Sequence, residues 1–319
     1  MKEMIVAKKL EIESAPSKSI DLIGQLLKSQ QGNYGKSLRS AGLTDSEVMG
    51  NLFVFIIAGH ETSANSIHFC LLYLALHPEA QRRAQREIEN IFQRRPISEW
   101  EYERDLPALL NGYLGAVLNE ELRLIAPTIT VPKISCAESQ SLMVNGEDAT
   151  VPPNTMIRLA VPAAHRNPKF WPHGPPKDPA KLAFSLDNLD NDLEEFKPER
   201  WLPEKAGESL YTPLRGSYVP FSDGQRACLG KRFAQVEIVA ALAVILSDYS
   251  VELGVDEWAT DDEVKNMTKE EKKATWMKAE EKGKWTLQHK MVSVITLQLR
   301  GSHVPVRFVK KGEENFGGI

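Results

Sequence analysis

The chain has 319 residues, 42% hydrophobic and 26% charged, a balance that supports a sizeable core and excludes a wholly disordered or fibrous protein. Thirty-nine Lys and Arg stand against 43 Asp and Glu for a net charge of -4, and the lack of a dense basic block argues against nucleic acid as a partner. Cys70, Cys136 and Cys228 are odd in number and far apart, which suits neither a disulfide framework nor a paired-cysteine zinc ribbon and points to a reducing compartment.

The N-terminus, MKEMIVAKKLEIES, is charged from its second residue and lacks the apolar centre of a signal peptide. Residues 1 to about 125 read as helical almost throughout. Helical spacing predicts a helix over Ser19 to Ser29, followed by the glycine-containing stretch QGNYGKSLRSAG. Thr44 with Glu47 three residues later forms a capping box, and the apolar run behind it meets no proline before Pro78. That predicts a helix of about thirty residues, roughly 45 Å long. Further helices are expected from Pro78 to Phe92 and from about Pro107 to Leu124. No stretch reaches the roughly 20 apolar residues needed to span a bilayer.

Beyond Pro127 the pattern turns short and extended. TVPKIS, SLMV and MIRLAV read as strands, with Asn145-Gly146 as a hairpin turn. Proline-rich loops are expected over 162–220. LGKRFAQVEIVAALAVILSDY is apolar on nearly every side and predicts a helix buried in the core. The charged stretch DEVKNMTKEEKKATWMKAEEKGK reads as a solvated helix face or insertion, and VSVITLQL and VPVRFV as strands. No internal repeat or low-complexity linker divides the chain, so residues 1–319 are expected to form a single unit.

Cys228 lies in FSDGQRACLG, between glycines and a basic residue. A cysteine is ordinarily a small buried hydrophobe. Here Gly224 and Gly230 permit a tight loop and the approach of a flat partner, while the helix that follows turns its N-terminal amides toward the sulfur. With Arg226 nearby, those features favour a thiolate, either a redox nucleophile or a ligand for a soft metal. No Cys-x-x-Cys partner or second ligand lies near. One thiolate suffices for haem iron, because the porphyrin supplies the in-plane ligands.

Phe221, Gly224, Arg226, Cys228 and Gly230 fill all five fixed positions of F-x-x-G-x-R-x-C-x-G, so the segment resembles the haem-binding loop of the cytochrome P450 family. The resemblance implies that Cys228 is the axial ligand of haem b, that Arg226 pairs with a propionate, and that Phe221 packs on the sulfur side. AGHETS resembles the family's oxygen-activation segment, through Ala58, Gly59, Glu61, Thr62 and Ser63. It implies a helix that opens locally at Gly59, a Thr62 hydroxyl directed to bound oxygen, and Glu61 feeding protons inward. The competing reading is a helical Thr62 bonded back to the carbonyl of Ala58. His60-Glu61 does not make a zinc-protease site, since position 64 is Ala.

Three Glu-x-x-Arg pairs occur, Glu79/Arg82, Glu101/Arg104 and Glu120/Arg123, and a surface pair is the ordinary explanation for each. Only Glu120/Arg123 lies in an apolar helix ahead of the small sheet. FKPERW resembles the family segment that adds Arg200 as a third member, a buried structural triad that holds the Cys228 loop. Lys133 occupies a place where the family often sets a basic residue against a propionate, although a surface strand lysine reads equally well. His165 and Arg166 in AHRNP resemble a family segment without an assigned role.

The resemblance implies a mainly α (α+β) fold, the C-terminal portion of the family's domain, without a counterpart before Met1 for the membrane anchor and early helices. It implies a haem-dependent monooxygenase that inserts one oxygen atom from O2 into an apolar small molecule, in secondary metabolism. Electrons would come from an NADPH-cytochrome P450 reductase at the cytosolic face of the endoplasmic reticulum membrane. Phe55 to Gly59 and Thr128 to Val131 are the expected substrate-facing stretches. A haem-thiolate isomerase or dehydratase and a non-catalytic haem-binding remnant are the alternatives.

Overall fold

Thr44 and Glu47 do form the expected capping box: Thr44 N donates to Glu47 Oε2 at 2.8 Å, and Glu47 N donates to Thr44 Oγ1 at 3.2 Å. The computed structural model describes residues 1–14, 21–30, 42–174, 192–205 and 207–318. The chain divides into two compact units, residues 1–62 and 63–319.

The first unit holds α1 (Lys2–Ser14), α2 (Leu22–Gln30) and the opening of α3 (Asp45–Leu76). Ser19, Ile20 and residues 31–41 lie outside the described residues. Lys8 of α1 pairs with Asp21 and Glu11. α1 buries no residue, so it adds little burial to hold it.

In the second unit, α4 (Pro78–Phe92), α5 (Tyr102–Asn111) and α6 (Tyr113–Leu124) follow. The single helix expected from Pro107 to Leu124 is two helices. Gly112 is extended, with φ -98° and ψ -164°, and Glu87 of α4 accepts from Tyr113 N and Leu114 N at 2.6 and 2.9 Å. A carboxylate at those orphan amides starts a new helix there.

The strands pair locally. β1 (Thr130–Ile134) runs antiparallel to β4 (Met156–Ala160), and β2 (Gln140–Val144) to β3 (Glu147–Val151). Asn145 and Gly146 both take positive φ, 53° and 87°, as a two-residue hairpin turn requires. α7 (Val161–His165) leads into the proline-rich region, of which 175–191 and 206 are outside the described residues.

α8 (Lys231–Asp248) is only partly the buried helix expected. Its second half buries Ile238, Val239, Leu242, Ala243 and Leu246, whereas Phe233 near its start is 72% exposed. β5 (Tyr249–Leu253), absent from the sequence reading, pairs with β8 (Val306–Lys310). The charged stretch becomes α9 (Asp261–Asn266) and α10 (Lys269–His289), each opened by a threonine capping box at Thr260 and Thr268. α10 is more than a solvated face: it buries Trp276, Ala279 and Gly283, and Gly283 sits where an added Cβ would lie 3.2 Å from Leu76. VSVITLQL is a hairpin, β6 (Met291–Ser293) against β7 (Leu297–Leu299), rather than one strand.

The main core joins the C-terminal half of α3, α4, α6, α8 and β5, with Phe69, Cys70, Leu114, Val117, Leu242 and Leu253 fully enclosed. A smaller core of Ala116, Trp171, Leu193 and Trp201 packs on the other side of α6. Helix α6 is therefore buried all round, including its charged residues Glu120, Glu121 and Arg123. The result is mainly α with small two-stranded antiparallel sheets, the class expected from sequence.

Candidate active site

The loop before α8 is shaped by two residues with left-handed backbone, Ser222 (φ 61°) and Gly224 (φ 80°). Asp223 between them accepts from Gly224 N at 2.7 Å and pairs with Arg215 at 2.8 Å. Arg215 and this amide hold the Asp223 carboxyl below its ordinary value. Cys228 N then donates to Phe221 O at 2.8 Å, closing the loop, and Ala234 N donates to Gly230 O at 2.8 Å as α8 begins. Cys228 is exposed at the positive end of that helix. Arg226, in the short 3-10 turn Gly224–Arg226, is also exposed, and Phe221 is half-buried under Lys231.

Beside the thiol the surface exposes two large apolar side chains together with the cations Arg226, Lys231 and Arg232. Leu229 is 84% exposed and Phe233 72%. No atom lies within 4 Å of a Cβ built on Gly224, and on Gly230 such an atom would meet only Cys228 Sγ, at 3.9 Å. Among the described residues no cluster of three or more His, Cys, Asp or Glu could hold a bare metal ion. A single cysteine sulfur on an open, glycine-lined face flanked by apolar and cationic side chains suits a flat group that carries its own in-plane ligands and anionic edges, so these residues fit haem. Cys70 is the contrasting case: it is fully buried, and burial pushes its thiol up, which makes it inert.

The structure brings Glu120, Arg123 and Arg200 together. Glu120 and Arg123 are fully buried and joined by two hydrogen bonds of 2.8 Å. Glu120 also accepts from Lys197 N at 3.0 Å and Trp201 Nε1 at 2.8 Å, and Arg200 Nε stands 3.5 Å away. Arg123 spends its remaining donors on the carbonyls of Leu193 (2.8 Å), His165 (3.3 Å) and Glu195 (3.3 Å). Arg200 reaches Asp192 O at 2.8 Å and Asp192 Oδ1 at 3.3 Å, and bonds Pro172 O. Burial would raise the Asp192 carboxyl, but Lys197, Gly174 N and Arg200 outweigh it and hold it at about 2. The other two Glu-x-x-Arg pairs are exposed.

His165, left without a role by sequence, is fully buried beside this network. Its Nδ1 lies 3.2 Å from Arg123 O, and Val219 N donates to its Nε2 at 2.8 Å. Burial lowers its pKa to about 4. Arg166 pairs with Glu194 and donates to Leu124 O. Glu121 escaped the sequence reading altogether. It is fully buried, neither carboxyl oxygen has a hydrogen-bond partner, and burial pushes it well above the ordinary carboxyl range. An acid flanked by apolar residues at helical spacing was the available signal.

Of the AGHETS residues, Thr62 Oγ1 donates to Ala58 O at 2.7 Å, the back-bonded arrangement weighed from sequence. α3 continues through Gly59 without the local opening expected there. Phe55 and Glu61 are half-buried and Ile56, Ile57 and Gly59 exposed. Lys133 is exposed on β1 opposite Ile157. Thr128 is exposed, and Ile129 to Val131 are half-buried.

A family model described as Cytochrome P450 matches residues 1–177 and 191–277. A Streptomyces melanosporofaciens protein named cyclooctat-9-en-7-ol 5-monooxygenase is 33% identical over 228 residues, 71% of this chain and 41% of the relative. Cytochrome P450 monooxygenase 124 of Postia placenta is 31% identical over 258 residues, 79% of this chain and 43% of the relative. Cytochrome P450 3A40 of Oryzias latipes is 30% identical over 230 residues, 72% and 39%. The chain thus spans about two fifths of the length of these relatives, and the match falls in their C-terminal portion.

Proposed function

The chain belongs to the cytochrome P450 family, and from that premise we propose that it supplies the haem-thiolate site of a monooxygenase acting on an apolar small molecule. The observation that carries the reading is the exposed Cys228 on its open, glycine-lined face, in a loop that His165 links to the fully buried ion pair. Bound haem b would supply the oxygen chemistry, with thiolate donation favouring O–O cleavage.

The chain's own residues have separable tasks in this reading. Cys228 would hold the iron, and Arg226 and Lys133, both exposed, would neutralise propionates. Phe221 flanks the sulfur, and Gly224 and Gly230 keep the face open. Thr62 rests with its proton on Ala58 O. Rotation of that hydroxyl would free the proton for delivery, with Glu61 as the source that replaces it. Phe55 to Gly59 and Thr128 to Val131 would contact substrate. Electrons would come from an NADPH-cytochrome P450 reductase, and O2 is the co-substrate. The name of the Streptomyces relative supports a largely hydrocarbon substrate, and secondary metabolism is the setting in this reading. The location in this reading is the cytosolic face of the endoplasmic reticulum membrane. Among the described residues no helix is long and apolar enough to cross a membrane.

The test is the spectrum of the reduced chain under carbon monoxide. A red-shifted Soret band that disappears in Cys228→Ser and persists in Cys136→Ser supports thiolate ligation. A band that survives Cys228→Ser refutes it. Product formation dependent on reductase and O2 then separates oxygenase from isomerase.

A further inference from the structure

The buried ion pair and the cysteine loop do not touch through Glu120 or Arg123 directly. Trp171, which donates to Ser217 O, and Tyr218, whose hydroxyl donates to Asn119 O, tie the two together, and His165 is the side chain that bonds both Arg123 and the loop backbone. Arg123 O can only accept, so the His165 nitrogen 3.2 Å from it, Nδ1, carries the proton. Val219 N can only donate, so Nε2, 2.8 Å away, is bare. The partners therefore fix a single tautomer in a ring that is fully buried, and burial keeps that ring neutral. Arg123 in turn donates through Nη1 to His165 O, and the His165 ring lies 5.1 Å from that of Tyr218. Two residues beyond Val219 comes Phe221, whose carbonyl receives the amide of Cys228 at 2.8 Å.

We propose that His165 is a positioning residue for the Cys228 sulfur: its fixed tautomer clamps Val219, and the Cys228–Phe221 hydrogen bond carries that position to the thiol. The proposal rests on Cys228 being the haem ligand argued above, but its mechanical content belongs to the haem-free chain. The segment from Val219 to Cys228 is pinned at its start by the imidazole and closed at its end by its own backbone. Without the imidazole, the loop keeps its internal bond and the Tyr218 hydroxyl bond to Asn119 of α6, but Val219 N loses the acceptor that fixes it. The backbone from Val219 onward, and the sulfur with it, would then be held less narrowly.

Amide hydrogen exchange in the haem-free chain, resolved at Val219 and Cys228 by fragmentation mass spectrometry, tests this. In His165→Leu both amides should lose protection by about tenfold, equivalent to about 1.4 kcal/mol, the scale of one unsatisfied buried donor. In His165→Gln, whose amide can both donate and accept, both should stay near the parent value. Loss at Val219 alone, with Cys228 unchanged, overturns the proposal. If His165→Leu does not fold, the unsubstituted chain decides: the two amides must open with the same denaturant dependence, and independent opening overturns it equally. A chain that binds no haem would defeat the monooxygenase reading and leave this measurement intact. In haem-loaded protein, His165→Leu should also lower the share of the red-shifted Soret band, and His165→Gln should restore it.

Discussion

Replacing Glu120 with Ala should destabilise this fold severely. The carboxylate is fully buried and accepts four hydrogen bonds: two from Arg123, one from Lys197 N and one from Trp201 Nε1. Its removal leaves the Arg123 charge buried with only carbonyl partners, which by itself costs about 3–5 kcal/mol. Two further donors, Lys197 N and Trp201 Nε1, lose their acceptor at roughly 1–3 kcal/mol each. These losses are not additive, because a collapsing side chain or an entering water can serve more than one orphan. A loss of at least about 4 kcal/mol is the working figure, against a total stability of about 5–15 kcal/mol. Denaturant unfolding followed by circular dichroism measures it, with Glu79→Ala as the reference. Glu79 is an exposed partner of Arg82 and Arg86, so its loss should cost under about 1 kcal/mol. A Glu120→Ala midpoint equal to that of Glu79→Ala would refute the claim that the network holds the fold.

Thr62→Ala removes the hydroxyl now bonded to Ala58 O and raises helix propensity, so folding should be unharmed. In the reductase-coupled enzyme, NADPH use should continue while product falls and hydrogen peroxide rises; unchanged coupling would leave Thr62 a helix residue only. His165 is held at about 4, below its ordinary 6.5, so its contribution to stability is present above pH 6.5 and lost as pH falls toward 4. His165→Gln should flatten that acid limb relative to the parent, although His77, also held at about 4 by burial, will leave part of the slope. Glu121 acts in the opposite sense: raised in the folded state, it stabilises below the ordinary carboxyl range and progressively less as pH climbs above it. Glu121→Gln should therefore remove a decline in melting temperature as pH rises above the ordinary carboxyl range, and an unchanged decline would mean that the carboxyl finds a partner in solution.

What sequence disclosed here was what periodicity and local chemistry encode. The Thr44–Glu47 box, the length of α3 and the Asn145-Gly146 turn are each set by residues within a few positions of one another, and each is found. Glu120/Arg123 could be chosen among three look-alikes because its neighbours are apolar. The misses share one physical origin. The break at Gly112 depends on Glu87, a residue in another helix, and no local pattern announces that it will cap α6. α10 looked solvated because its lysines and glutamates outnumber Trp276, Ala279 and Gly283, although those three are what dock it. His165 stayed unassigned because its meaning lies in Arg123 O and Val219 N, 42 and 54 positions away.

The distance along the chain between Glu120 and its acceptor-satisfying partners also sets a schedule. Lys197 and Trp201 follow Glu120 by 77 and 81 residues. At a ribosomal rate of about 5–20 residues per second, α6 emerges roughly 4–15 s before the segment that completes its polar core. Throughout that interval the nascent helix carries an ion pair it cannot bury, so the α4–α6 region must stay open to water. A slow stretch of codons read between the emergence of α6 and that of Trp201 would lengthen this exposed period. The buried network thus makes the birth of this protein sensitive to timing at a place that its finished structure hides completely from water.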